Sequence, residues 1–115
     1  MSTKIYHNAR CFKSRATLAI LEQNDVDFEV VNYLVNPPSE SEIKSILKDL
    51  GINARDLLRK GEAKFKELGL SDKTLSEEHL IKSMIEFPIL IERPIVRTEK
   101  GAVIGRPPEN VNSIL

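Results

Sequence analysis

Two stretches of this chain have the apolar pattern of strands, and a third between them has the pattern of a helix. A short apolar run ends at Tyr6, and the segment from Val26 to Leu34 alternates apolar and polar residues with period two. Between them, the apolar spacing predicts a helix from about Phe12 to Gln23 that ends near Asn24. A strand, a helix and a strand within roughly 30 residues indicate a βαβ unit with a parallel pair of strands.

The middle of the chain, about residues 39–86, has helical spacing throughout. Apolar residues at i, i+3, i+4 and i+7 predict a helix that begins after Ser39 and stops at Gly51. Three further short helices are predicted, one beginning at Asn53, one running from Glu62 to Leu68 and one beginning at Ser76.

The last third of the chain returns to strand-like segments. Short strands are predicted at Ile89–Ile91, Ile95–Arg97 and Ala102–Ile104, and the segment Pro107–Glu109 opens a short C-terminal helix. The order βαβ, helices, ββα is that of an α/β protein. It resembles the thioredoxin-like fold, with a mixed central sheet and a helical insertion between its two halves. That fold commonly places a cis-proline just before a strand, a position held here by Pro94.

Composition narrows the class of protein. At 115 residues the chain predicts one domain, residues 1–115. Lys and Arg number 17, as do Asp and Glu, so a broad basic surface for direct nucleic-acid binding is excluded. No apolar run approaches the roughly 20 residues that cross a bilayer, and no signal peptide is recognisable. We expect a monomer that does not bind membranes.

The single cysteine, Cys11, lies in the turn between the first strand and the first helix. One cysteine cannot form an internal disulfide or a thiolate metal cage, so we expect no metal and a reducing, cytoplasmic location. Free backbone N–H groups and the positive end of the helix dipole favour a thiolate at this turn, as do the neighbouring Arg10 and Lys13. The alternative is an inert, buried cysteine.

Five segments of the chain together have the pattern of one protein family. In Tyr6–Arg15, a histidine and an asparagine precede Cys11, and a serine and an arginine follow it. The other four segments are Asn36–Ser39, Leu57–Lys60, Pro88–Val96 and Gly105–Glu109. Together they resemble the glutaredoxin-dependent arsenate reductase family, including its small bacterial relatives. The family's loop is His-Asn-Pro-x-Cys-x-x-Ser-Arg; this chain has Ala9 where the family usually has proline and a bulky Phe12 after the cysteine.

The resemblance implies an arsenate-binding site made of three arginines that lie far apart in the sequence: Arg59, Arg93 and Arg106. Arsenate is an oxyanion with one to two negative charges near neutral pH. Arginine suits it because the guanidinium group forms paired hydrogen bonds and keeps its charge. Without the resemblance, each would be read as an ordinary surface arginine.

The resemblance also implies roles for the cysteine loop. Cys11 would attack arsenate and form a covalent adduct, while protonated His7 would favour the thiolate and Ser14 would donate a hydrogen bond to it. From the residues alone, His7 could equally be packed at a strand end and Ser14 could cap the helix. Three residues are expected to support the loop: Asn8, Arg15 and Pro94. No tightly bound cofactor is expected; glutathione is the implied co-substrate and glutaredoxin the implied partner.

Two other functions remain open. Related thiol-stress regulators on this fold bind RNA polymerase and usually carry a Cys-x-x-Cys switch. The corresponding residues here are Cys11 and Ser14, which excludes a disulfide switch but not the binding of a protein partner. The other alternative is a monothiol glutathione-dependent oxidoreductase, which would use Cys11 but not the arginines. Pull-down of RNA polymerase subunits would favour the first alternative, and full reduction of small disulfides by an Arg93→Ala variant would favour the second.

Overall fold

The computed structural model of this protein describes residues 3–115, which form two compact units. Of the described residues, the first unit comprises 3–36 together with Arg93–Leu115, and the second is Pro37–Glu92. The prediction of a single domain over residues 1–115 stays a prediction.

The first unit contains a mixed four-stranded sheet, counted over residues 3–115. Its strands are β1 (Thr3–His7), β2 (Phe28–Asn32), β3 (Ile95–Thr98) and β4 (Gly101–Ile104). The order is β2-β1-β3-β4, with β1 parallel to β2 and antiparallel to β3. Helix α1 (Phe12–Gln23) connects β1 to β2 and ends where predicted. The predicted α/β, thioredoxin-like fold is confirmed.

Helix α1 and the 3-10 helix Pro108–Ile114 cover an apolar core on the sheet. The predicted C-terminal helix is therefore present, but in the tighter 3-10 form. Buried residues from both helices and from β1 and β3 make up this core: Ile5, Leu21, Val96, Val111 and Ile114.

One strand prediction is confirmed with shorter bounds, and one was wrong. The predicted strand from Val26 to Leu34 is present as β2 but ends at Asn32, because Val35 N–H donates to the Asn32 carbonyl at 3.1 Å and closes a turn. The segment Ile89–Ile91 is not a strand. Pro88–Leu90 forms a 3-10 helix, and Ile91 takes part only in an isolated bridge. A short apolar run does not distinguish a buried strand from a buried helical turn.

The second unit contains four α-helices, α2 (Glu40–Leu50), α3 (Ala54–Leu57), α4 (Ala63–Glu67) and α5 (Glu77–Glu86). The predicted starts of α2, α3 and α5 and the predicted end of α2 are confirmed by their caps, whereas α4 is one residue shorter at each end than predicted. Ser39 and Ser76 accept backbone N–H groups at the starts of α2 and α5, Asn53 forms a capping box with Asp56, and Gly51 ends α2 at φ 70°. Helix α5 packs against α2 and α3.

No helix within residues 3–115 combines the length and the apolar character that crossing a membrane requires.

Candidate active site

Most of the predicted site residues lie at one edge of the sheet in the first unit, the edge at which β1 ends. Tyr6 of β1 pairs with Ile95 of β3, and Ile95 pairs with Ile104 of β4. The cysteine loop after β1, the Arg93–Pro94 peptide before β3 and Arg106 after β4 therefore lie at the same edge. Of the three predicted arginines, Arg93 and Arg106 belong to this unit, whereas Arg59 belongs to the second unit.

Cys11 is the N-cap residue of α1, as its place in a strand-to-helix turn predicted. Its backbone is extended (φ −91°, ψ 121°), no side chain caps the helix, and the residue is 9% exposed. The first turn of α1 contains no acidic residue but includes Lys13 and Arg15. No carboxylate therefore neutralises the positive end of the helix dipole, and the two basic side chains add to the positive charge there. This environment favours an anion, such as the Cys11 thiolate.

Three hydrogen bonds hold the loop that carries Cys11. Cys11 N–H donates to the Asn8 carbonyl at 3.0 Å, and Arg10 N–H donates to Asn8 Oδ1 at 3.0 Å. Arg15 Nη1 donates to the Ala9 carbonyl at 2.8 Å. The position that has alanine in place of proline is thus tied directly to α1 by the Arg15 guanidinium. These contacts are of the kind that loop-supporting residues make.

Ser14 links the strand end to the helix start. Its side chain is fully buried, and its Oγ lies 2.7 Å from His7 Nδ1 and accepts Asn8 N–H at 3.0 Å. Ser14 is the third residue of α1, so the alternative that it caps the helix is wrong. When His7 Nδ1 is unprotonated, Ser14 donates its hydroxyl proton to that nitrogen. When Nδ1 carries a proton, His7 donates to Ser14, and the serine proton becomes available to another acceptor.

The environment of His7 favours the neutral imidazole. Burial lowers the pKa of His7 below its ordinary value, and the positive charge of Arg15 lowers it further. The resemblance implies a protonated His7, which this shift opposes. With a neutral imidazole whose proton is on Nε2, Ser14 is held as a donor to His7.

The lowered pKa of His7 predicts a pH-dependent stability. The unfolded chain takes up the proton at about pH 6.5 and the folded protein only at lower pH. The free energy of unfolding should therefore fall as the pH drops through about 6.5. A His7→Gln variant should lose this part of the pH dependence, as measured by urea unfolding at about pH 8 and pH 5.5. His79→Gln, at an exposed histidine of α5, is the control. Equal pH dependence in wild type and His7→Gln would contradict the prediction.

Arg93 carries hydrogen-bond donors without partners. Its Nε and Nη1 atoms are buried, and neither has a hydrogen-bond partner among residues 3–115. Arg106 Nη1 donates to the Arg93 carbonyl at 3.3 Å, which ties the two predicted anion-binding residues together. The Arg93–Pro94 peptide is cis, as predicted, and the Arg106–Pro107 peptide is also cis. Buried donors of a charged group normally have acceptors, so these two N–H groups suit an anionic ligand.

Gly105 is a residue of this edge that the sequence analysis did not single out. Its N–H donates to the Pro94 carbonyl at 2.8 Å. A Cβ atom at this position would lie 2.5 Å from Thr17 Oγ1 and 2.8 Å from Pro94 Cγ. Thr17 is itself fully buried and donates to the Lys13 carbonyl at 2.8 Å. Only glycine lets α1 and Pro94 come this close; the signal in the sequence was a glycine directly after a strand.

We expect Gly105→Ala to destabilise the protein by about 1–3 kcal/mol, because the added methyl group overpacks a contact between two buried side chains. The free energy of unfolding in urea measures this effect. Gly61→Ala is the matched control, because a Cβ at Gly61 would meet nothing within 4 Å. An equal loss of stability in both variants would show that the close contact is not the cause.

Within residues 3–115, no three His, Cys, Asp or Glu side chains cluster so that they could hold a metal ion. A cavity of the first unit is lined by Thr3, Thr98, Lys100 and Leu115, among others. It lies at the opposite end of β1 and β3 from Cys11 and contains none of the predicted site residues.

The chain is similar to known proteins over nearly its whole length. Residues 6–114 match the model of the ArsC family. The chain is 52% identical over 113 residues to the uncharacterized protein YfgD of Escherichia coli K12, covering 97% of this chain and 95% of YfgD. It is 44% identical over 113 residues to an arsenate reductase of Neisseria meningitidis, covering 97% of each. The solved structure of an arsenate reductase from Vibrio cholerae aligns with a TM-score of 0.96 and 47% identity, covering 100% of this chain and 98% of that one.

Proposed function

This chain belongs to the ArsC family, and we propose that it reduces arsenate to arsenite through a covalent intermediate on Cys11, with glutathione and glutaredoxin as reductants. Its similarity to proteins named arsenate reductase, at 44% identity over nearly the whole chain, supports this class of oxidoreductase. The observation that carries the proposal is the pair of buried, unpartnered donors on Arg93.

An oxyanion would supply an acceptor for these donors. Arg93 keeps its positive charge, and its guanidinium group donates from Nε and from Nη1 in different directions, to which the several oxygens of an oxyanion and of its bound water can accept. Arg106 contacts the backbone of Arg93 and would add a second positive charge. By resemblance, Arg59 would add a third. Several cations are needed because arsenate carries one to two negative charges near neutral pH.

Cys11 would supply the nucleophile. A thiolate at the N-cap of a 12-residue helix is stabilised by the helix dipole and by the unpaired N–H groups of the first turn. Lys13 and Arg15 strengthen the positive field there. Ser14 would donate to the thiolate only while His7 Nδ1 carries a proton, so His7 and Ser14 would act as a coupled pair.

The proposed reaction balances as follows. The Cys11 sulfur bonds to arsenic, and one arsenate oxygen leaves as water. Glutathione then attacks this adduct, again with loss of water, and the thiol of glutaredoxin attacks the glutathione sulfur. The two thiols leave as a mixed disulfide, and the electron pair they supply reduces As(V) to As(III). Water then releases arsenite from Cys11. The protein has a single cysteine, so both electrons come from external thiols. We propose that the protein acts as a monomer in the cytoplasm, the compartment in which glutathione is available.

The test is arsenate-dependent consumption of NADPH in the presence of glutathione, glutaredoxin and glutathione reductase, with wild type compared to Cys11→Ser. A folded wild-type protein with a reactive Cys11 but no turnover would favour a protein that binds a partner such as RNA polymerase. Reduction of small disulfides that persists in Arg93→Ala would favour a monothiol glutathione-dependent oxidoreductase.

A further inference from the structure

Arg59, the predicted anion-binding residue of the second unit, is already paired with two carboxylates. Its Nη1 contacts the Glu62 carboxylate, and its Nε lies 3.5 Å from the Glu92 carboxylate. The side chains are largely shielded from water, with exposures of 20% for Arg59, 23% for Glu62 and 28% for Glu92. Such shielding makes ion pairs stronger than those of fully exposed side chains.

Backbone hydrogen bonds bring Glu92 to Arg59. Arg59 N–H donates to the Leu90 carbonyl at 2.7 Å, and Glu92 N–H donates to the Leu57 carbonyl at 2.8 Å. These bonds flank the antiparallel bridge between Leu58 and Ile91. In this register Arg59 and Glu92 are diagonal neighbours on one face of the two bridged segments. Long side chains can span the distance between such neighbours.

A tight turn brings Glu62 to the same arginine. Glu62 N–H donates to the Arg59 carbonyl at 3.2 Å, closing a turn over Lys60 and Gly61. Both carboxylates are therefore held beside Arg59 by the backbone, not only by the choice of side-chain rotamers. Together with the guanidinium group they give this cluster a net charge of about −1, counting ionised carboxylates.

We propose that Glu62 and Glu92 compete with the oxyanion for Arg59 and so weaken the binding of the oxyanion. This inference rests on the proposed function, which assigns Arg59 to the oxyanion. An incoming anion must displace one carboxylate from the guanidinium group or bind against the repulsion of both. Removing one carboxylate charge should therefore tighten binding.

We expect Glu62→Gln to lower the KM for arsenate about three- to tenfold, the change that corresponds to the loss of one moderately strong ion pair. The value of kcat should change less than about twofold, because the competition acts on binding. Glu92→Gln should act in the same direction but less, since Glu92 lies 3.5 Å from the Arg59 Nε. Glu67→Gln is the matched control: Glu67 pairs with Lys64 at 3.3 Å in the same unit, and the variant makes the same change of net charge.

Two readouts separate this inference from the proposed function. One is KM in the coupled assay, and the other is calorimetric binding of arsenate to Cys11→Ser proteins with and without Glu62→Gln. Tighter binding in Glu62→Gln and Glu92→Gln but not in Glu67→Gln supports the inference, even if the wild type shows no turnover. Weaker binding in the variants would mean that the carboxylates orient Arg59, and it would overturn the inference. The proposed function would still stand if the wild type reduces arsenate. Unchanged affinity, or an equal gain in Glu67→Gln, would also overturn it. Absence of arsenate binding in every variant would overturn both.

Discussion

The Cys11→Ser protein is expected to lose arsenate-dependent NADPH consumption, by a factor on the order of 10³ or more, because a serine hydroxyl is a far weaker nucleophile than a thiolate. The fold should be unaffected. Cys11 is the N-cap of α1, where its side chain makes no capping hydrogen bond, and serine is a favoured residue at this position. The free energy of unfolding should therefore stay equal or rise.

This pairing of lost turnover with retained stability distinguishes chemistry from folding. Turnover and urea unfolding are measured on the same preparations of wild type and Cys11→Ser. The single cysteine also permits a direct check, since alkylation by iodoacetamide reports only on Cys11. Substantial arsenate reduction by Cys11→Ser, with glutathione and glutaredoxin present, would refute the covalent intermediate.

The second large effect is expected at Arg93. Replacing it with methionine removes two buried donors and should lower kcat/KM for arsenate about 10²- to 10³-fold, the usual loss for a donor that stabilises an oxyanion. The same change should leave the stability of the free protein unchanged or raise it by about 1 kcal/mol. The reason is that a buried, unsatisfied polar group is destabilising and an apolar group of similar length is not.

Arg55 provides the opposite case and serves as the control. Its Nη1 and Nη2 donate to the carbonyls of Leu70 and Asp72 at 2.7 and 2.8 Å, so its hydrogen bonds are structural. Arg55→Met should lose stability while keeping its affinity for arsenate. If Arg93→Met instead loses stability like Arg55→Met and keeps kcat/KM, Arg93 is a structural residue and the oxyanion site lies elsewhere.

Local structure could be predicted closely where one short segment contains the whole signal. Helix α1 spans Phe12–Gln23 as predicted, and the caps at Ser39, Asn53 and Gly51 bound α2 and α3. These features depend on apolar spacing, on side chains that accept a backbone N–H three residues away, and on the left-handed backbone of Gly51. The prediction failed at Ile89–Ile91, where Pro88 begins a 3-10 helix within an equally apolar run. Apolar character alone signals burial and leaves the backbone conformation open.

By itself, the sequence determined the order of helices and strands and the place of the one thiol at a helix start, because both are encoded within a few neighbouring residues. Only the tertiary structure decided the contacts between distant positions. It paired Ser14 with His7, left the Arg93 donors without partners, pressed Thr17 and Pro94 against Gly105 and set the Glu92 carboxylate beside Arg59. These contacts depend on strand order, register and the close approach of separate elements, which no local pattern of apolar and polar residues specifies.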